Sequence, residues 1–444
     1  MLSFGGRPPR ALLAGVSVVA GLAGGLPTRA ARAAETLPME EAVAVALRRN
    51  RDAIAARLEI DGAALDVVAA RLYPNPSLQY SVGNLVLGSA NTQAGQVTGA
   101  PGFFGQPVQS IGVSQLIDVW QKRSARVRAA DASLARRRFL TEDALREIAY
   151  GVRTAFAAVA RKQEELDLAI EISERYGETV RLSRSRFAAG DISEADLRKI
   201  ELEGLKYQNQ IVDARLELDL SRAALAALLA LPSARDLPAR VTIEGGRPTF
   251  DFARLAAVAR EQRPDLKAVR AGRSAAAAEL TAAEREIMPD LTVGAAYTHS
   301  AFTVSGDNPN TLALSIGLPL PLFDRNQANI GRARLDQRRV DNEEGRLLLA
   351  IAQELDEAAL RVDRSRKLLA VFEGTPAEGN GLLARAETAL RVSERSYKAG
   401  AISLLELLDA QRTYLQARGD YLRAANDFRQ AAIDVTHAVG GPQP

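Results

Sequence analysis

Cysteine does not occur anywhere in this chain of 444 residues. Disulfides and thiolate metal sites are therefore excluded. A lipid anchor is excluded too, because it needs a cysteine at the signal-cleavage site. Histidine is almost absent. His299 and His437 are far apart and fall in elements of different kinds. Both read as structural, and His437 near a helix C-terminus suits the helix dipole. No HExxH, CxxC, Walker A or glycine-rich dinucleotide motif occurs. An enzyme, a resident metal and a cofactor all lack the residues they would rest on. Aromatic residues make up only 5%, while alanine, arginine, leucine and glutamate dominate. That balance favours long helices over a compact globule. Beyond the N-terminus every long apolar stretch is interrupted by charge. If the chain crosses a membrane, it must do so as a β-barrel.

The N-terminus reads as a targeting signal. Arg7 and Arg10 are basic, Ala11 to Gly25 is apolar, and Ala31-Arg32-Ala33 offers a small-x-small cleavage site. Residues 1–33 are expected to be removed, with the mature chain starting near Ala34. The apolar run is shorter than the roughly 20 residues of a spanning helix. The segment carries Arg7, Arg10, Arg29 and Arg32 and no acid. Taking those four charges from the formal +3 leaves about −1. The basic pI then says nothing in favour of nucleic acid, and no nucleic-acid partner is expected.

What remains is duplicated. Four features recur in order at a spacing of roughly 205 to 215 residues. Ala44–Asp52 matches Ala257–Asp265. Tyr73-Pro74-Asn75-Pro76 matches Met288-Pro289-Asp290. Ser110-Ile111-Gly112-Val113 matches Ser315-Ile316-Gly317-Leu318. Phe187-Ala188-Ala189-Gly190-Asp191-Ile192-Ser193 matches Tyr397-Lys398-Ala399-Gly400-Ala401-Ile402-Ser403. The expected organisation is a first repeat over 34–232, a linker over 233–250 rich in proline breaks, and a second repeat over 251–444.

Each repeat reads as a helix, two strands, a long helix, a glycine turn and a second long helix. Strands are expected over 77–88 and 107–117, then around Leu291–Tyr297 and Leu312–Leu318. Apolar residues there alternate with serine, glycine, threonine and alanine. The loops at 89–106 and 303–310 are rich in Gly, Asn and Ser. Strands of about ten residues with such loops fit an outer-membrane barrel, and they also fit a soluble sheet. Four strands cannot close a membrane barrel, for which about eight is the minimum. Several chains must then contribute, and a trimer would supply twelve strands; counting alone also allows a dimer. From Gln121 to Ala189 there is no proline, and apolar positions recur at three and four. That is coiled-coil-like packing over about 100 Å. In the second repeat, Glu373 to Gly381 interrupts the matching helix.

Acids cluster near the glycine turns. Glu406 and Asp409 are three apart and share a helix face. Asp196 occupies the matching region of the other hairpin. Such residues are as readily a solvated face as a functional one. In a symmetric trimer each would become a ring of three, which is a known pore device.

The order of parts resembles the TolC-type outer-membrane factors. The resemblance covers essentially the whole mature chain. It is carried by Leu72-Tyr73-Pro74-Asn75-Pro76, by Leu318-Pro319-Leu320-Pro321-Leu322-Phe323-Asp324-Arg325-Asn326-Gln327, and by the run from Tyr397 through Glu406 and Asp409 to Gln411. It implies a mainly α protomer with a small β part, and a homotrimer in outer-membrane lipid. It also implies a twelve-stranded barrel continued by a long α-helical barrel in the periplasm. The implied function is passive export in a tripartite system, with an inner-membrane RND transporter, a periplasmic membrane-fusion adaptor and no cofactor. Gly190, Ile192, Ser193, Gly400, Ile402 and Ser403 are implied as the adaptor-docking tips. Glu406 and Asp409 are implied as the lining of the periplasmic gate, and Asp196 as part of the links that hold it shut. The segment Gln115–Arg123 and the Pro-Leu-Phe-Asp-Arg-Asn-Gln run look most like the heavy-metal branch, which exports cobalt, zinc and cadmium. Several relatives are lipidated, and the absence of cysteine departs from them. A multidrug or type I secretion duct is the alternative within transport. A periplasmic coiled-coil adaptor is the alternative from another class; it accounts for the helices but not for the strand pairs or the duplication.

Overall fold

The computed structural model describes residues 37–83, 108–242, 246–300, 308–374 and 381–441. The expected signal segment, the 89–106 loop, most of the 303–310 loop and most of the 373–381 break lie outside these. In chain order the elements are β1 (Leu37–Pro38), α1 (Met39–Arg49), α2 (Arg51–Arg71), β2 (Ser77–Gly83), β3 (Val108–Ile117), α3 (Lys122–Ala188), α4 (Glu194–Leu228) and β4 (Val241–Thr242). Then follow α5 (Phe252–Gln262), α6 (Pro264–Arg285), β5 (Leu291–Ser300), β6 (Asn310–Gly317), α7 (Gln327–Glu373), α8 (Leu382–Lys398) and α9 (Leu404–Val439). No helix among the described residues is long and apolar enough to cross a membrane.

One antiparallel sheet joins both halves in the order β2-β3-β5-β6. Its register separates two kinds of residue. Leu78, Val113, Ala295 and Leu314 lie side by side, and so do Tyr80, Ile111, Tyr297 and Leu312. The intervening rows are Gln79, Gly112, Ala296, Ala313 and Ser81, Ser110, Thr298, Thr311. Because strand side chains alternate between faces, one face is apolar and the other is small and hydroxylated. The apolar face is bare, and Leu314 is 80% exposed.

Each half opens with two helices, the first a short one that ends before Asp52 or Asp265 as the repeated sequence implies. The break in the first half is at Asn50, whose side chain accepts the backbone N–H groups of Asp52 and Ala53 and so starts a new helix. In the second half Pro264 occupies the first turn of α6, where a missing N–H costs nothing. Asn50 and Arg263, the residue before Pro264, also reach across the fold. Asn50 Nδ2 donates to the carbonyl of Leu228 at the end of α4, 2.9 Å away. Arg263 Nη1 donates to the carbonyl of Ala438 at the end of α9, also at 2.9 Å. A duplicated clasp thus closes each half with a different side chain.

The strand-to-helix corners are duplicated as well. Gln121 and Asn326 stand just before α3 and α7 in the left-handed region, at φ 60° and 57°. Asp118 accepts the backbone N–H groups of Trp120, Lys122 and Arg123, and Asp324 accepts that of Asn326. The buried Lys122 ammonium lies 3.3 Å from Glu286 and 3.1 Å from Asp290, which ties the first corner to the junction between α6 and β5.

α3 is one unbroken helix of 67 residues, about 100 Å long. Its counterpart is split into α7 and α8, with Gly374 at φ 83° ending α7. Two equivalent cores lie midway along the helices. Val43, Val152, Phe156, Val159, Leu225 and Leu229 form one; Leu266, Ile351, Leu355, Val362, Phe428 and Val435 belong to the other. The linker is clamped there. β1 pairs with β4 in parallel, and Arg222 donates to the carbonyls of Pro238 and Ala239. Arg247 grips Glu373, the last residue of α7, at 2.5 Å with both Nη atoms.

Candidate functional site at the hairpin tips

The far ends of the long helices are built twice from the same parts. At the first tip Gly190 has φ 84°, its N–H bonds the carbonyl of Phe187, and the N–H of Asp191 bonds that of Arg186. At the second, Gly400 has φ 72°, its N–H bonds the carbonyl of Tyr397, and the N–H of Ala401 bonds that of Ser396. This paired pattern satisfies the last helical carbonyls, and the left-handed residue it requires is best supplied by glycine. Three residues later each chain re-enters a helix. Ser193 Oγ accepts the N–H of Asp196, and Ser403 Oγ accepts that of Glu406. Ile192 and Ile402 sit between glycine and serine, and both are half-buried.

The acids expected at a gate therefore have a local task as well. The Glu406 carboxylate accepts the backbone N–H of Ser403 at 2.9 Å, completing a reciprocal cap at the start of α9. Asp196 accepts the Ser193 hydroxyl at 2.7 Å. The two tips diverge one turn further in. Lys199 follows Asp196 and lies 4.0 Å from it. Asp409 follows Glu406, both are exposed, and neither forms an ion pair among the described residues. The α9 tip thus carries two uncompensated carboxylates where the α4 tip carries a paired one.

Asp196 and α9 do come together. A cleft of about 380 Å³ is lined by Asp196, Glu203 and Tyr207 from α4, Tyr176 from α3, and Leu408 and Arg412 from α9. Burial and the nearby Glu203 push the phenols of Tyr176 and Tyr207 up from their ordinary range. Glu406 and Asp409 do not line this cleft.

Sequence reasoning missed the stitch between the tips. The Arg186 guanidinium lies over the ring of Tyr397 at 4.8 Å and also reaches the Tyr397 carbonyl. Tyr397 is 1% exposed. The two residues are more than 200 positions apart, and only their shared place next to the repeated glycine turn could have pointed to the pair. The histidines take structural partners. His437 Nε2 lies 2.8 Å from Glu147 Oε1, with its ring 4.1 Å from that of Tyr150. His299 Nδ1 lies 2.9 Å from Asn310 Oδ1. Among the described residues no group of three or more metal-ligating side chains comes together.

Comparison with known proteins places this architecture. The family model described as outer membrane efflux protein matches residues 42–231 and 255–441. The chain is 27% identical over 390 residues to the cobalt-zinc-cadmium resistance protein CzcC of Cupriavidus metallidurans, covering 87% of this chain and 86% of the relative. It is 26% identical over 348 residues to the pyoverdine export outer membrane protein OpmQ of Pseudomonas putida, covering 75% of this chain and 70% of that one. The crystal structure of the outer membrane protein VceC from Vibrio cholerae superposes with a TM-score of 0.69 at 20% identity, covering 91% of this chain and 96% of that one.

Proposed function

The chain belongs to the outer membrane efflux protein family, and from that premise we propose that three copies close one duct that exports divalent heavy-metal cations such as cobalt, zinc and cadmium. One observation carries the duct. A single chain presents a four-stranded sheet, apolar on one face and hydroxylated on the other, whose outer strands β2 and β6 have no partner beyond it among the described residues. Open edges are untenable in lipid, and a broad face of bare leucines is untenable in water. Three such sheets joined edge to edge give twelve strands, with the apolar face outward and the serine and threonine rows inward. An exposed stripe on α4, formed by Leu202, Leu205, Val212, Leu216 and Leu220, supports the same association along the tunnel.

The remaining roles follow from this reading. The tips at Gly190, Ile192, Ser193, Gly400, Ile402 and Ser403 dock a periplasmic adaptor, which links the duct to an inner-membrane RND transporter. Glu406 and Asp409 from three chains form rings of negative charge at the entrance, which favour cations. Asp196 and the Arg186–Tyr397 stitch hold neighbouring hairpins together until the adaptor separates them. The two repeats of 34–232 and 251–444, joined by 233–250, supply equivalent halves of each subunit. Similarity to CzcC supports heavy metals as cargo, and similarity to OpmQ favours an organic siderophore as the second reading. Metal and siderophore tolerance of a deletion strain decides between them. Hypersensitivity to cobalt, zinc and cadmium is expected; unchanged metal tolerance with impaired siderophore release would overturn the cargo. Purified protein that runs as a heat-modifiable trimer and conducts in planar bilayers is expected; a soluble periplasmic monomer would overturn the duct.

A further inference from the structure

β6 ends at Gly317, but its alternation of apolar residues does not. Leu312, Leu314 and Ile316 lie on the apolar face, and Leu318, Leu320 and Leu322 continue the period of two beyond the strand. All three are exposed, and Phe323 at the end of the run is 92% exposed. Pro319 and Pro321 occupy the alternate positions. The matching stretch of the first half, Val113 to Ile117, stays in β3 and pairs with β5. Proline has no N–H to donate to a ladder, so pairing stops where the prolines begin. The opposite edge is treated alike, since Pro74 and Pro76 precede β2.

We infer that Leu318 to Phe323 is a membrane strap, bedded in the periplasmic leaflet of the outer membrane at the foot of the barrel. The inference rests on the barrel reading above. Height argues for it. The eight residues of β6, at about 3.3 Å each and a tilt of about 45°, rise roughly 19 Å against an apolar band of about 25 Å. Five further extended residues are enough to make up the difference. The backbone argues for it as well. Two of the strap's N–H groups are removed by proline, the Leu322 N–H bonds the Leu320 carbonyl, and Arg325 and Gln327 donate to the carbonyls of Leu322 and Phe323. Few polar groups are left to be penalised near lipid. Charge then marks the end of the strap at Asp324 and Arg325. At the matching corner stand exposed Trp120 and Tyr73, with the Arg123 guanidinium 4.1 Å from the Tyr73 ring centre. Aromatic rings and cations of this kind favour the boundary between acyl chains and headgroups.

Trp120 is the only tryptophan, so a probe can be moved. In a Trp120→Phe background, Phe323→Trp and, separately, Leu320→Trp report on the strap, while Leu314→Trp reports on the strand face. Each trimer, checked for heat-modifiability, is reconstituted in vesicles of phosphatidylcholine brominated on the acyl chains. The strap probes are expected to lose at least about half their emission, as the strand probe does, and to resist aqueous iodide. Strap probes that keep their emission while Leu314→Trp is quenched would overturn the strap and leave the barrel standing. If the strand probe also escapes quenching, the barrel reading fails, and the strap with it.

Discussion

Glu406 is asked to do two things, and substitution can separate them. Its carboxylate caps α9 through the Ser403 N–H at 2.9 Å, and in the proposed trimer it contributes charge to the entrance. Glu406→Gln keeps an oxygen that can accept the same hydrogen bond but removes the charge. Glu406→Ala removes both. Loss of the cap costs about 1 kcal/mol at each tip, enough to raise local opening about fivefold. The charge effect can be sized independently. A cation about 7 Å from each of three carboxylates gains about 0.6 kcal/mol per carboxylate in water. Screening at physiological salt roughly halves that. One ring then enriches the cation about fivefold, and the exposed Asp409 ring remains. Single-channel reversal potentials in a salt gradient should therefore show the same fall in cation preference, about fivefold, for Gln and Ala. Hydrogen exchange at the first turn of α9 should quicken only for Ala. Wild-type selectivity in Glu406→Gln, with a change only in Glu406→Ala, would refute the gate role and leave the residue as a cap.

Other outcomes follow from the same geometry. Arg263 is 2% exposed and bonds the half-buried Asp265, the more exposed Glu354 and the buried Ala438 carbonyl; Arg263→Met should cost about 1–3 kcal/mol, chiefly by leaving that carbonyl and Asp265 unpaired, read as a lower melting temperature and faster exchange at the end of α9. Gly400→Ala meets open space apart from Arg186 at 3.7 Å, so its cost is the left-handed backbone alone, about 1–2 kcal/mol, visible as faster exchange at the α8–α9 turn. The hydrogen bond from His437 holds the Glu147 carboxyl below its ordinary value. Its stabilisation is present above the unfolded glutamate pKa and is lost as pH falls through the lowered native one. Melting of the wild type should therefore fall more steeply below about pH 4.5 than melting of Glu147→Gln, and parallel profiles would show that the pair contributes nothing.

The sequence by itself determined everything that repeats over a short range. Period-two alternation over Leu78–Val82 and Leu312–Ile316 sorted the sheet's faces before any partner strand was known, because neighbouring side chains in a strand must point to opposite sides. Gly190 and Gly400 announced the tips because their backbone conformation is costly for other residues. Glu373 to Gly381 announced the break that divides α7 from α8. Order-preserving similarity between the halves showed that each half supplies two strands to the four-stranded sheet. The short helices that end before Asp52 and Asp265 were legible in the repeated sequence, whereas the capping of α2 by Asn50 was not, because it lies inside a run of good helix formers. Only the tertiary structure decided which distant groups meet: Arg186 with Tyr397, Asn50 with Leu228, Arg263 with Ala438, and Lys122 with Glu286 and Asp290. The physical reason is that helices rich in alanine and arginine offer many equivalent faces. Which guanidinium is buried and which carbonyl it caps depends on how helices more than 170 residues apart cross, and no local period encodes that crossing.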